Sequence, residues 1–389
     1  MRNFYVASLV LIVASCCWSC KKDNGTPAIP AYTVPTTYNF TNVDDTDQLK
    51  LIAMADQLGA AVNAANTSPA TVVDSLVLLD MFNNVNNRFN DSALRLNASG
   101  LSLSNYCCDS ARKYMITYLD SVGHYSKSTA AAQNGVAGVA ASSANASKKY
   151  LLSPSGIFYS QVIKKTLQHG LFGYRMGEVM AEAAANNTLN NTNIVPGQGT
   201  TMEHHWDEGF GYFGVPIDFP TDSIGLKYLA SYSKQVEPGL GSNEVIMNAL
   251  LKGRAAISNK DYNTRIAQAS IILTEIERLN AASVVQEMKE TDANIDAGDS
   301  VAAYGTLSES LGFVRGLVYN ASPSTRIISD ASYAQLLTLY DSSNPSCPNL
   351  YNFVNASVNT AAQIKAKTDA IRQAIGKIYG FTAAQLAAQ

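Results

Sequence analysis

The chain has 389 residues, long enough to bury one large core or to divide into two lobes, and 47% of them are hydrophobic against 15% charged. A formal net charge of −3 and the lack of any Lys/Arg cluster exclude nucleic acid as a partner. Only Cys107, Cys108 and Cys347 follow Cys20, so a zinc site built on cysteines alone is excluded as well.

The first twenty residues read as an export signal, with Arg2, an apolar run from Phe4 to Ala14, then small residues and cysteines. That run is too short to remain as a membrane-spanning helix. Ser19-Cys20-Lys21-Lys22-Asp23-Asn24 resembles the start of mature surface lipoproteins, in which charged residues follow the lipidated cysteine. Residues 1–20 are therefore expected to be a lipoprotein signal peptide and Cys20 the anchor, with Cys16 in Val13-Ala14-Ser15-Cys16 as the alternative. Such an anchor implies an outer-membrane lipoprotein facing the periplasm or the cell surface. Residues 21–43, with Pro27, Pro30 and Pro35, read as a flexible tether.

From residue 44 onward the pattern is helical. Leu51, Met54, Leu58, Ala61, Val62 and Ala65 recur at helical spacing after Asp44 and Asp45. Ser68-Pro69 carries a helix-start signature, which predicts a second helix burying Val72, Val73, Leu76 and Leu79. Asn83 to Asn90 reads as a loop, and 104–124 as a third helix. The Ala/Ser/Gly-rich run 126–149 reads as a long surface loop. A strong helix to about Ala185 holds His169 and Glu178 among Gly170, Gly173 and Gly177, and an Asn/Gly-rich loop, 186–200, follows.

That loop leads into Met202-Glu203-His204-His205-Trp206-Asp207-Glu208-Gly209-Phe210-Gly211-Tyr212-Phe213-Gly214, which holds two of the four histidines and one of the two tryptophans. On a helix, His204 and Glu208 lie one turn apart and His205 shares a face with Glu208. Imidazole with carboxylate suits Zn, Fe or Mn rather than Ca or Mg. His204, His205 and Glu208 are the candidate metal ligands, Glu203 and Asp207 their supports, and Glu178 or Glu309 the expected donors from other helices. The default reading is a structural polar cluster at a helix start, with its carboxylates on the helix dipole. Gly209-x-Gly211-x-x-Gly214 spells a dinucleotide fingerprint, but no strand precedes it; aromatic packing with close backbone approach is the better account.

Downstream, short helices are expected at about 222–234 and 242–258, and Asp261 opens the longest helical pattern. Asp292-x-Asn294-x-Asp296 lacks the glycine and the final glutamate of a calcium loop. Ser300 to Asn320 is helical and sets Glu309 and Arg315 among Gly305, Gly312 and Gly316; final helices are expected near 330–341 and 355–379. No strand pair is predicted. The fold class is all-α, a helical bundle over 44–389 with lobes at about 44–200 and 201–389. Cys347 is a possible disulfide partner of Cys107 or Cys108 in an oxidising compartment, with three free thiols as the default.

The segments Val34-Pro35-Thr36-Thr37-Tyr38-Asn39-Phe40, Met202 to Pro216, Lys252-Gly253-Arg254-Ala255-Ala256-Ile257-Ser258-Asn259-Lys260-Asp261-Tyr262 and Leu307-Ser308-Glu309-Ser310-Leu311-Gly312-Phe313 resemble a lipoprotein family catalogued as domain of unknown function 4856. The resemblance spans nearly the whole body and implies an exported all-α lipoprotein without an assigned activity. A more distant similarity, to imelysin-like proteins, rests on His205-Trp206-Asp207-Glu208; Glu203 stands where their motif has glycine. It implies two helical lobes and iron uptake, while the first resemblance implies an outer-membrane receptor or imelysin-like lipoprotein as partner. Three functions follow: a lipoprotein that binds a divalent metal (Fe or Zn) or haem for nutrient uptake, a metallopeptidase using Glu208, or a glycan-binding scaffold of an uptake complex.

Overall fold

In the computed structural model, residues 29–67, 71–90, 93–186, 188–355 and 357–388 are described. The export segment, Cys16, Cys20 and the Ser68-Pro69 helix start lie outside these residues. The elements run α1 (Thr46–Asn63), α2 (Ser75–Asn83), α3 (Leu103–Tyr106), α4 (Asp109–Tyr125), β1 (Gly138–Ala141), β2 (Lys149–Leu152) and α5 (Tyr159–Leu167). A π-helical turn, Gln168–Gly173, joins α5 to α6 (Tyr174–Ala184). Then come β3 (Ile194–Val195), β4 (Gly199–Thr200), α7 (Thr201–Phe213), α8 (Tyr228–Leu240), α9 (Asn243–Ser258) and α10 (Tyr262–Asp296). The chain closes with α11 (Ser300–Gly316), α12 (Asp330–Thr338), α13 (Leu350–Val354), α14 (Ala361–Tyr379) and α15 (Ala383–Ala388).

The fold is all-α, and α10 is its axis. At 35 residues, with a rise of about 1.5 Å per residue, it is roughly 50 Å long. Asp261 caps its start by accepting from the Thr264 amide, and Ile272, Leu279, Val284 and Met288 along it are fully buried. It packs against α6, α8, α9, α11 and α14, so elements from both sides of residue 200 share one core within the compact unit Tyr32–Gln389. Among the described residues, no helix is long and apolar enough to cross a membrane.

Several local expectations are corrected. The run 126–149 is no plain loop: β1 pairs with β2 in antiparallel register, Gly138 opposite Leu152. Small residues with weak strand preference pair here because Asp299, at the start of α11, holds the connection by accepting from Ser142 Oγ and the Ala144 amide. β3 and β4 form a second, two-residue pair leading into α7. The second helix starts at Ser75 under an Asp74 cap and turns Leu78, Met81 and Phe82 inward, leaving Val72 and Leu76 62% and 67% exposed. The 104–124 helix is broken at Cys107 and Cys108, both extended. Part of the expected tether is docked on the body: Tyr38 is buried, its amide donating to Ile217 O at 2.7 Å. Cys107, Cys108 and Cys347 are free thiols. The possible disulfide is not formed: Cys107 is buried just before α4, where burial raises its thiol pKa, while Cys347 lies exposed in its loop.

Candidate functional site

The central motif forms α7, and the residues that start it also divide its polar groups into two separate sets. Thr200 accepts from the Glu203 amide while the Glu203 side chain accepts from the Thr200 amide, a reciprocal capping box. Gly214, at φ 73°, ends the helix in the left-handed region that favours glycine. A Cβ on Gly209 would lie 2.5 Å from Met180 Cε, so the bare backbone lets α6 approach. A Cβ on Gly211 would lie 2.8 Å from Asp45 Cβ at the head of α1. Tyr38 stacks on Phe210 with centroids 3.9 Å apart. The three glycines serve packing and termination rather than phosphate binding.

The first polar set is buried and centred on Arg254 of α9. Its Nε donates to Asp207 Oδ1 at 2.9 Å and its Nη1 to Glu203 Oε1 and Ser258 Oγ, each at 2.7 Å. Tyr38 donates its hydroxyl proton to the same Asp207 oxygen at 2.7 Å. Trp206 closes the contact, donating to Leu250 O at 3.0 Å over the bare backbone of Gly253. Burial pushes the Asp207 carboxyl up to about 6 despite the opposing pull of Arg254. Glu203 and Asp207 therefore tie α7 to α9 through Arg254. Arg254 is not among the sequence candidates, although it stands in the Lys252 to Tyr262 segment.

The second set faces outward between α6 and α7. His205 Nδ1 lies 2.9 Å from Glu208 Oε2, and His205 Nε2 lies 3.0 Å from Glu182 Oε2. The first is an aligned hydrogen bond; the second is an ion-pair contact in which Nε2 lacks hydrogen-bond alignment. Burial lowers the His205 pKa, but Glu208 and Glu182 together outweigh it and the net shift is upward. His205 and Glu208 thus meet as the spacing predicts, and an acid from another helix joins them. That acid is Glu182, not Glu178 or Glu309. Glu178 points one turn away, to Arg175 Nη1 at 2.6 Å. Glu309 lies against Lys165 Nζ at 2.5 Å and accepts from the Tyr232 hydroxyl. His204 Nδ1 has no hydrogen-bond partner among the described residues. Asp44 is held below its usual value first by Thr46, with His204 a lesser contributor. The only sequence signal for Glu182, in the last turn of α6, is its place as the acid one turn beyond Glu178.

Among the described residues, no group of three or more His, Cys, Asp or Glu side chains is placed to hold a metal ion. The cavity beside His205, between Val179, Met202 and Trp206, is about 10 Å³, far below the several hundred Å³ of an organic ligand pocket.

The His205 pair sets a pH dependence. Its folded pKa is raised above the unfolded value of about 6.5, so its stabilisation is full below that value and is lost as pH rises through the folded pKa. Unfolding midpoints of wild type and His205→Ala, measured across this range, are expected to converge at alkaline pH. A constant gap would remove the imidazolium from the account.

A family model described as Domain of unknown function (DUF4856) matches residues 35–382. No curated protein matches the chain, and no solved structure does.

Proposed function

The chain belongs to the DUF4856 family, and from that premise we propose that it is an exported, lipid-anchored binding protein of a nutrient-uptake system, holding a divalent transition-metal ion at His205 and Glu182. One observation carries the reading: Nε2 of His205 and Oε2 of Glu182 stand 3.0 Å apart without hydrogen-bond alignment. Two donors in one coordination shell, each about 2.0–2.2 Å from the metal, are spaced close to this. Glu208 on Nδ1 supplies the orienting carboxylate that metal-bound imidazoles commonly have. Imidazole with carboxylate favours Zn or Fe over Ca. Haem is disfavoured, because Nε2 faces a carboxylate and the adjoining cavity is about 10 Å³.

Two protein donors leave the rest of the shell to water or to a carrier's own oxygens, which suits transfer better than permanent storage. The partners in this reading are the membrane, through Cys20, and an outer-membrane receptor. Metal binding must displace the proton that the raised pKa of His205 favours, so affinity falls as pH is lowered. Titration calorimetry with Zn²⁺ at pH 8 is expected to show one site, weakened tenfold or more by His205→Ala or Glu182→Gln and about tenfold by Glu208→Gln. Glu178→Gln is expected to leave it unchanged. Equal affinity in His205→Ala and wild type would discard the site.

A further inference from the structure

On residues separate from His205 and Glu182, α1, α5 and the head of α8 border a groove of about 340 Å³, within the range of organic-ligand pockets. Helical spacing builds its two long walls. Asp56, Gly59, Ala60 and Asn63 fall at i, i+3, i+4 and i+7 along α1 and so share one face. Ser160, Lys164 and Leu167 share a face of α5, which packs against α1. Side-chain contacts tie these walls together. Asn66 Nδ2 donates to Asn63 Oδ1 at 3.3 Å and to Ser160 Oγ at 3.1 Å, and Lys227 Nζ lies 3.3 Å from Asp56 Oδ2.

Two local departures accompany the groove. Gly59 sits inside α1, where alanine is the more stable residue. A Cβ there would meet nothing within 4 Å, so packing does not demand the glycine. Tyr228, which also borders the groove, has φ 44°, a conformation that bulky residues rarely adopt and that gathers at functional sites. Burial, and then the Asp56 carboxylate, raise its pKa well above the ordinary value, so its hydroxyl keeps its proton beside Asp56.

The groove carries an excess of positive charge. Asp56 is matched by Lys227. Lys164 is exposed and its ammonium forms no ion pair among the described residues, so its flexible four-carbon stem is free to carry the charge over the groove. A bare carboxylate would answer Lys164 but offer no donor to Asp56. A ligand with hydroxyls as well answers both, because an O–H donates to a carboxylate that another anion would only repel. With their oxygens accepting from Asn66, Asn63 Nδ2 and the Ser160 hydroxyl proton face the groove walls as donors. Ala55, Ile163 and Leu167 supply apolar surface for a carbon skeleton.

We propose that this groove binds a small hydroxylated carboxylate of the sugar-acid class, with Lys164 as countercharge, Asp56 accepting from a ligand hydroxyl, and Asn63 and Ser160 donating to ligand oxygens. The glycine at 59 keeps room for it.

The test is ligand-observed saturation-transfer NMR on the full chain in metal-free buffer, with sodium glucuronate against glucose and against sodium acetate at equal ionic strength. The expected result is saturable glucuronate binding that weakens as salt is raised, with glucose and acetate each at least tenfold weaker. Gly59→Leu is expected to melt no lower than wild type and to bind glucuronate at least tenfold more weakly, since its side chain enters open space in the groove. Lys164→Gln is expected to weaken glucuronate binding several-fold and leave glucose unchanged. His205→Ala is expected to bind glucuronate as wild type does, which separates this groove from the metal site. No saturable signal, equal binding of glucose, wild-type affinity in a folded Gly59→Leu, or loss of binding in His205→Ala would each overturn the proposal.

Discussion

Replacing Arg254 with alanine is expected to destabilise the protein by about 3–5 kcal/mol, the cost of leaving a buried charge without its partner. Arg254 is 2% exposed and Asp207 is fully buried, so solvent cannot take over the lost contacts. The guanidinium joins Asp207, Glu203 and Ser258, and lies 5.1 Å from the Phe40 ring centroid. Without it, Asp207 keeps only the Tyr38 hydroxyl. Asp207→Asn removes the charge as well and costs less. The double variant is expected to lose less than the sum of the two, since the second change removes the charge that the first one strands.

The pH dependence of that loss follows from Asp207. Its folded pKa, about 6, lies above the unfolded value of about 3.9, so the folded state holds the proton more tightly. The group's contribution is therefore present below about 4 and lost as pH rises through about 6. Arg254→Ala removes the charge that opposes burial and raises this pKa further, so its penalty is expected to shrink as pH falls from 8 to 5. Urea unfolding at the two pH values measures both effects. A loss below about 1 kcal/mol at pH 8 would place the fold's α7–α9 contact elsewhere.

Lys165→Met is expected to cost a similar amount, about 3–5 kcal/mol, while Glu287→Gln costs less than about 1 kcal/mol. The two differ because Lys165 lies directly against Glu309, whereas Glu287 joins the cluster only through the Tyr232 hydroxyl. Lys165 is fully buried, with Nζ 2.5 Å from Glu309 and 2.6 Å from the Tyr232 hydroxyl. Burial first, and Glu309 second, raise the Glu287 pKa well above its ordinary value, which favours the protonated form. Glutamine resembles a neutral glutamic acid in shape and donors. Methionine in place of Lys165 instead leaves Glu309 without its cation. Lys165→Met with Glu309→Leu is expected to recover most of the stability, as apolar replacement of a whole buried pair often does. Chemical denaturation of the three variants against wild type decides the matter. Equal losses in Glu287→Gln and Lys165→Met would mean that the cluster depends on Glu287 as much as on Lys165.

The same cluster explains why Glu309 does not meet the histidines of α7 although its glycine-rich surroundings predict close packing. Gly312 does bring α11 close to a neighbour: a Cβ there would lie 2.7 Å from Lys165 Cβ. The glycines announce close packing, but not which helix packs there. The neighbour is α5, carrying a lysine, rather than α7, carrying the histidines.

What the sequence determined by itself were properties set by local periodicity and short-range geometry. The apolar spacing of α1 and α10, the Asp261 cap and the helical turn that brings His205 to Glu208 are all fixed within a few residues of chain. The Thr200–Glu203 capping box belongs to the same class, since both partners lie three residues apart. Tertiary structure alone decided which long-range partner each polar group met. Glu182 rather than Glu178 reaches His205, Arg254 takes Glu203 and Asp207, and Asp299 holds the β1–β2 connection. The reason is physical: periodicity sets which face of a helix a side chain occupies, but the rotation and depth at which two helices meet depend on every contact between them. A shift of one turn, as from Glu178 to Glu182, leaves the periodicity unchanged and exchanges the partner.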